Sequence, residues 1–232
     1  MFKTSIICST FAHNDVEDEC LKNIVQYSED YELFVCDGKA TKNSLSYLWN
    51  HYAEKADADF LIFMNSDASP VYNSVNSEQK GHGWNLKLAE SFYNQRWLGA
   101  VGPVTTSCKN DLQLKNSRTW VEGQKLTTEQ RYIQLKDEVF LAGFCFGIPK
   151  RTFMQVGGFD AEAFPFYGNE KDLFFRIYHK MRLASFIDLD VFVWHKGENS
   201  IRTVYDDPAL KEVRKEAREK FFDRVEKMKQ NS

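Results

Sequence analysis

The chain has 232 residues, a formal net charge of −3, and 43% hydrophobic and 15% aromatic residues. This composition excludes wholesale disorder, because it supplies enough apolar surface for a sizeable core. The length suits one large domain or one domain with an appendage. The charge forces no polyanionic partner, since nucleic-acid binders usually show a basic excess.

The five cysteines indicate a reducing compartment. Their number is odd, no Cys-x-x-Cys pair occurs, and Cys8, Cys36 and Cys145 lie inside apolar runs. Such cysteines behave as small hydrophobic residues, which disfavours a disulfide framework or a zinc site. The first apolar stretch is too short for a signal peptide, and no run of 18 apolar residues occurs. We therefore predict a cytoplasmic protein without a transmembrane segment.

Short apolar runs alternate with helix-like segments along the chain. The first half predicts, in order, a strand at Ser5–Cys8, a helix at Asp15–Tyr27 with Asp15 as N-cap, a strand at Tyr31–Cys36, a helix at Ser44–Ala56, a strand at Asp59–Met64, a helix at Trp84–Trp97 and a strand at Leu98–Pro103. The second half predicts a strand at Val139–Ile148, helices at Arg151–Val156 and Asn169–Met181, a strand at Ala184–Trp194 and a charged helix at Asp206–Lys229.

This alternation of strands and helices predicts an α/β domain with a parallel sheet. Ligands of such sheets bind outside the carboxyl ends of the strands. The loops that begin at Thr10, Asp37 and Asn65 follow the first three predicted strands. We therefore expect these loops to share one edge of the sheet.

The motif Asn65-Ser66-Asp67 ends the third predicted strand. A carboxylate in this position suits Mg²⁺ or Mn²⁺, because both ions prefer oxygen ligands and often use one or two carboxylates together with substrate phosphates. The alternative is that Asp67 caps a turn before Pro70, which is common for Asp.

Two further groups could carry chemistry. Glu170 and Asp172 open a predicted helix, and a carboxylate there can act as a general base. The alternative is an acidic first turn in which Asp172 pairs with Arg176 on the surface. His195 ends a predicted strand and could bind a metal through its neutral ring, although a lone His is more often an ordinary hydrogen-bonded residue.

The order of these motifs resembles that of the family 2 glycosyltransferases of the GT-A fold. No single motif is specific, but the similarity in order extends from about Thr4 to Ser200. The matching segments are Cys36-Asp37-Gly38 for the family's Asp-Asp-Gly, Trp49-Asn50 for Arg-Asn, Asn65-Ser66-Asp67 for Asp-x-Asp, Leu141–Arg151 with Val156–Asp160, Asn169–Arg176 for Glu-Asp-x-Asp-Leu-x-x-Arg, and His195–Ser200 for the His-x-x-Gly-x-Ser ending.

The resemblance implies a single GT-A, Rossmann-like domain over residues 1–204, with a mostly parallel central sheet flanked by helices. The charged helix at 205–232 is expected to pack on this domain. The implied activity is metal-dependent, inverting transfer of one sugar from a nucleotide-sugar, with UDP-sugars favoured, to a hydroxyl of an acceptor. The segments at about 71–83 and 105–136 are expected to bind that acceptor. A saccharide is favoured, and a modified nucleic-acid base is left open.

The resemblance also implies roles for individual residues. Asp67 and His195 would hold a divalent cation, Mn²⁺ or Mg²⁺. Glu170 would be the general base, or Asp172 if the alignment slips. The implied donor-binding residues are Thr10, Asp37, Asn50, Asn65, Asp67 and Gly143, the last because Gly allows close approach of the backbone to the sugar.

Two other functions are left open by the sequence. A nucleotidyltransferase can share such a sheet and a metal-binding carboxylate, but the segment from Ser9 to Asp15 contains no Gly for the usual phosphate loop. A catalytically inactive nucleotide-sugar-binding module is mildly favoured by Asn65, which replaces the first Asp of the family motif. The Gln-x-x-Arg-Trp motif of processive synthases is absent, so single transfer is favoured over polymer synthesis.

Overall fold

The computed structural model of the protein describes residues 3–70, 83–114, 130–136, 139–197 and 206–230. Within these residues, the chain forms a central sheet of seven strands with helices on both faces, and a separate pair of very short strands.

The bounds of the elements agree closely with the hydrophobic periodicity of the sequence. The strands are β1 (Thr4–Thr10), β2 (Tyr31–Asp37), β3 (Phe60–Asn65), β4 (Ala68–Ser69), β5 (Leu98–Val104), β6 (Tyr132–Gln134), β7 (Cys145–Pro149), β8 (Ala184–Phe192) and β9 (Trp194–His195). The helices are α1 (Asp15–Tyr27), α2 (Gly38–Thr41), α3 (Leu45–Lys55), α4 (Trp84–Asn94), α5 (Lys150–Val156), α6 (Asn169–Met181) and α7 (Asp207–Gln230), with a 3₁₀ turn at Asp111–Gln113.

The central sheet has the strand order β2-β1-β3-β7-β5-β8-β6. β1 is parallel to β2 and β3, and β5 is parallel to β8. β7 is antiparallel to both β3 and β5, and β6 is antiparallel to β8. Among the described strands of this sheet, all except β6 and β7 therefore run in one direction. The predicted α/β class with a mostly parallel sheet is confirmed.

Alternating side chains of the strands fill two hydrophobic layers. On β1, Ile7 faces the layer covered by α3, α5 and α6, whereas Ile6 and Cys8 face the layer covered by α1 and α4. Fully buried aromatic rings dominate the first layer, with Trp49 and Phe63 5.3 Å apart between centroids. Each such side chain contributes roughly 1.5–3 kcal/mol through burial. The buried sheet thus holds its strand ends, and the loops that follow them, in fixed positions.

The structure differs from the sequence-based boundaries at two informative points. The side chain of Asn14, and not that of Asp15, caps α1 by accepting hydrogen bonds from the N–H groups of Val16 and Glu17. The predicted strand Val139–Ile148 begins only at Cys145. The preceding apolar residues form a loop along the sheet edge, where several of them contact the residues described below.

The charged helix α7 packs on the domain by one narrow stripe. Leu210 is buried, and the ring of Phe221 contacts those of Phe140 and Phe175 at centroid distances of 5.7 and 5.6 Å. Most other described residues of α7 are exposed, which agrees with the alternating charges of its sequence. In the part of the chain that the structure describes, no helix has both the length and the apolar character needed to cross a bilayer.

Candidate active site

The carboxyl ends of β1, β2 and β3 bring three of the predicted donor-binding residues to one edge. The parallel register places Thr10 beside Asp37, and it places Ser9 beside Asn65. Because neighbouring strands lie about 4.8 Å apart, these residues span roughly 10 Å of the edge. The expectation that the three loops lie together is therefore met by the topology.

Asp37 is held in place by its own loop. Its Oδ1 accepts a hydrogen bond of 2.7 Å from the N–H of Ala40 as the N-cap of α2, and it lies 3.0 Å from His13 Nε2. Burial by itself raises the pKa of the Asp37 carboxyl, but these two hydrogen bonds, together with the charge interaction with His13 and the N–H of Lys39, outweigh burial, and the pKa lies below its usual value. At neutral pH the side chain is thus an ionised acceptor, suited to hydroxyl or amino groups of a ligand.

Asp67 and His195 are brought together by the pairing of β4 with β9. Ala68 lies opposite His195 in this pair, and the N–H of Lys196 donates to the carbonyl of Asp67 at 2.9 Å. Asp67 Oδ1 and His195 Nε2 are 3.5 Å apart. The Asp67 side chain is 3% exposed and that of His195 is 14% exposed, so the pair lies just beneath the surface.

The orientation of the His195 ring suits a metal ligand. Its Nδ1 lies 2.8 Å from the carbonyl oxygen of Ser107, which can only accept, so Nδ1 carries a proton. In the neutral ring Nε2 then presents its lone pair toward Asp67, which is the arrangement common for metal-bound His. Phe144 stacks on the imidazole at a centroid distance of 4.8 Å and fixes its plane.

The geometry of this pair fits a hard divalent cation. In an octahedral site with metal–ligand distances of about 2.1 Å, two adjacent ligand atoms lie about 3 Å apart. The 3.5 Å between Asp67 Oδ1 and His195 Nε2 is close to this value. Among the described residues, no cluster of three or more His, Cys, Asp or Glu side chains could enclose a metal. Substrate oxygens would therefore have to complete the coordination, as is common for Mg²⁺ with phosphate substrates.

Glu170 lies against Gly143, one residue from the ring that stacks on His195. A Cβ at position 143 would come within 2.9 Å of Glu170 Cγ and 3.0 Å of Cδ. The structure thus gives a different reason for Gly143 from the one predicted, because the Glu170 side chain occupies the space that a larger residue would need. The next residue, Phe144, accepts a 2.9 Å hydrogen bond from the N–H of Asn65. Residues 143 and 144 therefore link Glu170 to the predicted metal motif.

The environment of Glu170 raises the pKa of its carboxyl, and burial among protein atoms is the main cause. Lys171 and Lys109 partly oppose this effect by favouring the ionised form. A carboxylate with a raised pKa binds a proton more readily near neutral pH, which is a property of general bases.

Asp172, which is predicted as the alternative base, has a different environment from Glu170. Its side chain is fully buried, one oxygen accepts from Arg176 Nε at 2.8 Å, and the other accepts from Arg224 Nη1 on α7. Arg224 also donates to Asp160 at 2.6 Å. The predicted pairing of Asp172 with Arg176 exists, but it is buried and not on the surface. Asp172 therefore connects α6 to α7 and is not accessible to an acceptor hydroxyl.

Asn50 also has a structural role. Its Nδ2 donates to the carbonyl of Phe159 and its Oδ1 accepts from the N–H of Phe159, both at 2.8 Å. These two bonds fix the turn that follows Gly158, which adopts a left-handed conformation with φ of 64°. The prediction that Asn50 binds the donor gains no support from these contacts.

Glu17 was not among the predicted site residues, although it lies directly behind this edge. It is 1% exposed and accepts hydrogen bonds from the loop after β1 and from Ser66 of the metal motif. The position of Glu17 in the first turn of α1 is only a weak signal, because an acidic residue there is usually a simple partner of the helix dipole. Most of the predicted acceptor-binding segments, and the end of the His195–Ser200 motif, lie outside the described residues.

With this geometry established, the fold can be compared with solved structures. GalNAc-T7, in a structure with UDP, GalNAc and Mn²⁺, has a TM-score of 0.58 and 12% identity over 89% of this chain and 49% of its own. A mannosyltransferase from Pyrobaculum calidifontis, in complex with GDP-Man and Mn²⁺, has a TM-score of 0.56 and 14% identity over 84% of this chain and 57% of its own. TarS 1-349 from S. aureus has a TM-score of 0.53 and 10% identity over 84% and 60%.

These neighbours identify the architecture. The chain has the GT-A fold. At the sequence level, no protein-family model and no curated protein matches it. The chain spans about half to three fifths of the length of these solved structures. At 10–14% identity the likeness concerns the fold, so activity has to be argued from the residues of this chain.

Proposed function

We propose that this protein is a metal-dependent glycosyltransferase that moves one sugar from a nucleotide-sugar to an acceptor hydroxyl. The observation that carries the proposal is the placement of the Asp67–His195 pair beside Gly143 and Glu170, at the carboxyl edge of a GT-A sheet. A candidate metal pair and a candidate base with a raised pKa are thus linked through two consecutive residues, 143 and 144.

The donor is proposed to lie along the edge formed by β1, β2 and β3. Asp37, ionised and half-buried at the end of β2, would accept hydrogen bonds from the nucleoside, and Thr10 lies beside it. Asp67 and His195 would hold a divalent cation, Mn²⁺ or Mg²⁺, against the donor diphosphate. When bound, such a cation stabilises the negative charge that develops on the leaving diphosphate.

Glu170 is proposed to accept the proton of the acceptor hydroxyl. The acceptor oxygen forms a bond to the anomeric carbon while the bond from that carbon to the donor phosphate oxygen breaks. The electron pair of the broken bond leaves with the nucleoside diphosphate. Direct displacement of this kind inverts the anomeric centre, and no second carboxylate is needed as a nucleophile.

UDP-sugars are proposed as donors. This preference rests on their frequency among nucleotide-sugars and on the UDP present in the GalNAc-T7 structure, whereas the mannosyltransferase structure contains GDP-Man. A saccharide is proposed as acceptor, with a modified nucleic-acid base as the second choice. We propose a cytoplasmic location on the basis of the five free thiols.

The first test is a thermal-shift titration with UDP, GDP and their sugar conjugates, with and without Mn²⁺. A ligand at 100 times its Kd stabilises the native state by about 2.7 kcal/mol, so binding raises Tm. We expect one nucleotide to raise Tm in a Mn²⁺-dependent manner. In Asp67→Asn, which keeps the shape of the side chain and removes its charge, this Mn²⁺-dependent rise should be lost.

The matched control is Asp59→Asn. Asp59 is exposed and directly precedes β3, at the end of the strand opposite to Asn65, so this variant should respond to nucleotide and Mn²⁺ as the unmodified protein does. Release of nucleoside diphosphate from the stabilising nucleotide-sugar then tests turnover. Binding without turnover would indicate an inactive binding module. Stabilisation by a nucleoside triphosphate together with a sugar 1-phosphate would indicate a nucleotidyltransferase.

A further inference from the structure

Glu17 is a buried carboxylate that joins two loops of the proposed donor site. Its Oε1 accepts from the N–H groups of Phe11 and Ala12 at 2.9 and 3.0 Å, and its Oε2 accepts from the N–H of His13 at 2.7 Å. The hydroxyl of Ser66 donates to the same Oε1 at 2.5 Å. One side chain therefore holds both the loop that follows β1 and the motif that follows β3.

Each of these loops leads directly to a proposed ligand-binding residue. His13, which adopts a left-handed conformation with φ of 51°, places its Nε2 3.0 Å from Asp37 Oδ1. Ser66 is fully buried and directly precedes Asp67 of the metal pair. Glu17 therefore bonds directly to His13, which contacts Asp37 of the proposed nucleoside site. It also bonds directly to Ser66, which precedes Asp67 of the proposed metal site.

The same face of α1 also contacts β4, which directly follows the loop at 65–67. Residues 17, 20 and 23 follow one another at spacings of three, which places them on one side of the helix. Cys20 Sγ contacts the carbonyl oxygen of Ala68, and Asn23 Nδ2 donates to Ser69 Oγ at 2.8 Å. Glu17 differs from Cys20 and Asn23 in also accepting hydrogen bonds from residues 11–13 of the other loop.

The charge of Glu17 is maintained by these contacts. Burial raises the pKa of its carboxyl, but the hydrogen bonds from Phe11, Ser66, Ala12 and His13 together outweigh burial and hold the pKa below its usual value. The side chain is therefore ionised at neutral pH and acts only as an acceptor. A neutral amide in its place would direct an NH₂ group at one of the backbone N–H donors.

We infer that Glu17 is a positioning residue that couples nucleotide binding to metal binding, by fixing the loop at 11–13 and the loop at 65–67 in one relative arrangement. This inference rests on the proposed function, and it assigns Glu17 no contact with substrate. Its consequence is that Mn²⁺ and the nucleotide each bind more tightly when the other is present, and that this mutual effect depends on Glu17.

Glu17→Gln tests the inference with UDP and GDP as probes. Calorimetry gives the Kd of the nucleotide with and without Mn²⁺. The ratio of the Kd without Mn²⁺ to the Kd with Mn²⁺ measures the coupling. We expect this ratio to fall by about fivefold or more in Glu17→Gln, which lies within the usual range for coupling between sites. Ser66→Ala removes only the link to the metal loop and should lower the ratio in the same direction.

The matched control is Asn23→Ala, which removes a bond from α1 to Ser69 of β4 but leaves the loop at 11–13 untouched. This variant should keep the ratio of the unmodified protein. A lower Tm in Glu17→Gln and Ser66→Ala with an unchanged ratio would mean that Glu17 serves stability alone, and the inference would be wrong. If Glu17→Gln does not fold, an unchanged ratio in Ser66→Ala alone overturns it. Unmodified protein that binds neither nucleotide would instead contradict the proposed function, and the coupling with it.

Discussion

Glu170 and Asp172 lie two residues apart on α6 and have opposite surroundings. Asp172 is neutralised by two arginines, one of them from α7, whereas Glu170 lies beside Gly143 with burial raising the pKa of its carboxyl. The sequence shows both acidic residues but not Arg224, which is about 50 positions away in the chain and only reaches Asp172 after folding. The assignment of the base therefore depends on long-range contacts.

The raised pKa of Glu170 predicts the pH dependence of transfer. A general base acts in its ionised form, so the rate should fall as pH decreases through the pKa of Glu170, and at a higher pH than for an ordinary Glu. Glu170→Gln should lower kcat by about 10² to 10⁴-fold and leave the Kd of the nucleotide nearly unchanged. The measurement is a pH–rate profile with the donor found by thermal shift.

The raised pKa of Glu170 also affects the stability of the fold, which gives an independent check of the surroundings of this carboxyl. The folded state holds the Glu170 proton more tightly than the unfolded state, so this group stabilises the fold at pH values below its unfolded pKa. That contribution is lost as pH rises through the folded pKa. Glu170→Gln should therefore be at least as stable as the unmodified protein at pH 8.

The control is Glu162→Gln, an exposed change in the segment before α6, which should alter neither the transfer rate nor the stability. Full activity in Glu170→Gln would contradict the assignment of the base.

Among the elements, α7 is joined by charged contacts to α6, the helix that carries Glu170. Arg224 bonds to Asp172 and Asp160 and lies over the ring of Phe164, and Arg214 donates to the hydroxyl of Tyr167 at 2.7 Å. The polar contacts of Arg214 and Arg224 lie on α6 or in the segment that leads into it, whereas Phe221 also contacts Phe140 in the loop at 139–144. We therefore expect α7 to stabilise the helix that carries Glu170.

Substitutions in this network should have graded effects on the free energy of unfolding. Asp172→Asn leaves Arg176 buried without its carboxylate, and a loss of about 3–5 kcal/mol is expected. Arg224→Ala should cost less, about 1–3 kcal/mol, because Arg176 still pairs with Asp172.

The control is Arg218→Ala, an exposed change on α7 that should alter the free energy of unfolding by less than about 0.5 kcal/mol. Urea unfolding followed by circular dichroism measures all three variants. Equal stabilities for Arg224→Ala and Arg218→Ala would show that the contacts of Arg224 contribute nothing to the docking of α7.

At the scale of the whole molecule, the packing predicts an uneven pattern of local stability. Strands β1, β3 and β7 are buried between two layers of helices, whereas α7 contacts the domain along one stripe. Hydrogen exchange followed by mass spectrometry should show the slowest exchange in these three strands. Exchange in α7 should be more than about tenfold faster, because its opening exposes little of the core. Equal protection of α7 and the strands would place α7 in the same cooperative unit.

Much of the fold was predictable because it depends on local patterns. The periodicity of apolar residues predicted α1, α3, α4, α6 and α7, and apolar runs predicted the parallel strands β1, β2, β3, β5 and β8. The direction of β7 was not predictable, because an apolar run does not reveal whether a strand is parallel or antiparallel to its neighbours. The apolar run at 139–144 likewise predicts a strand although these residues form a loop, because residues that pack beneath a site are as apolar as those of a strand.

The order of apolar runs and helical segments is enough to predict the fold class and the shared edge of Thr10, Asp37 and Asn65, because residues at strand ends share an edge in any parallel sheet. The surroundings of each acidic side chain, in contrast, follow only from the folded arrangement of the chain. Asp67 lies beside His195 through the pairing of two very short strands, and Glu17 accepts hydrogen bonds from backbone donors of a neighbouring loop. The ionisation and the accessibility of an acidic side chain depend on burial and on partners distant in the chain, so no local sequence pattern predicts them.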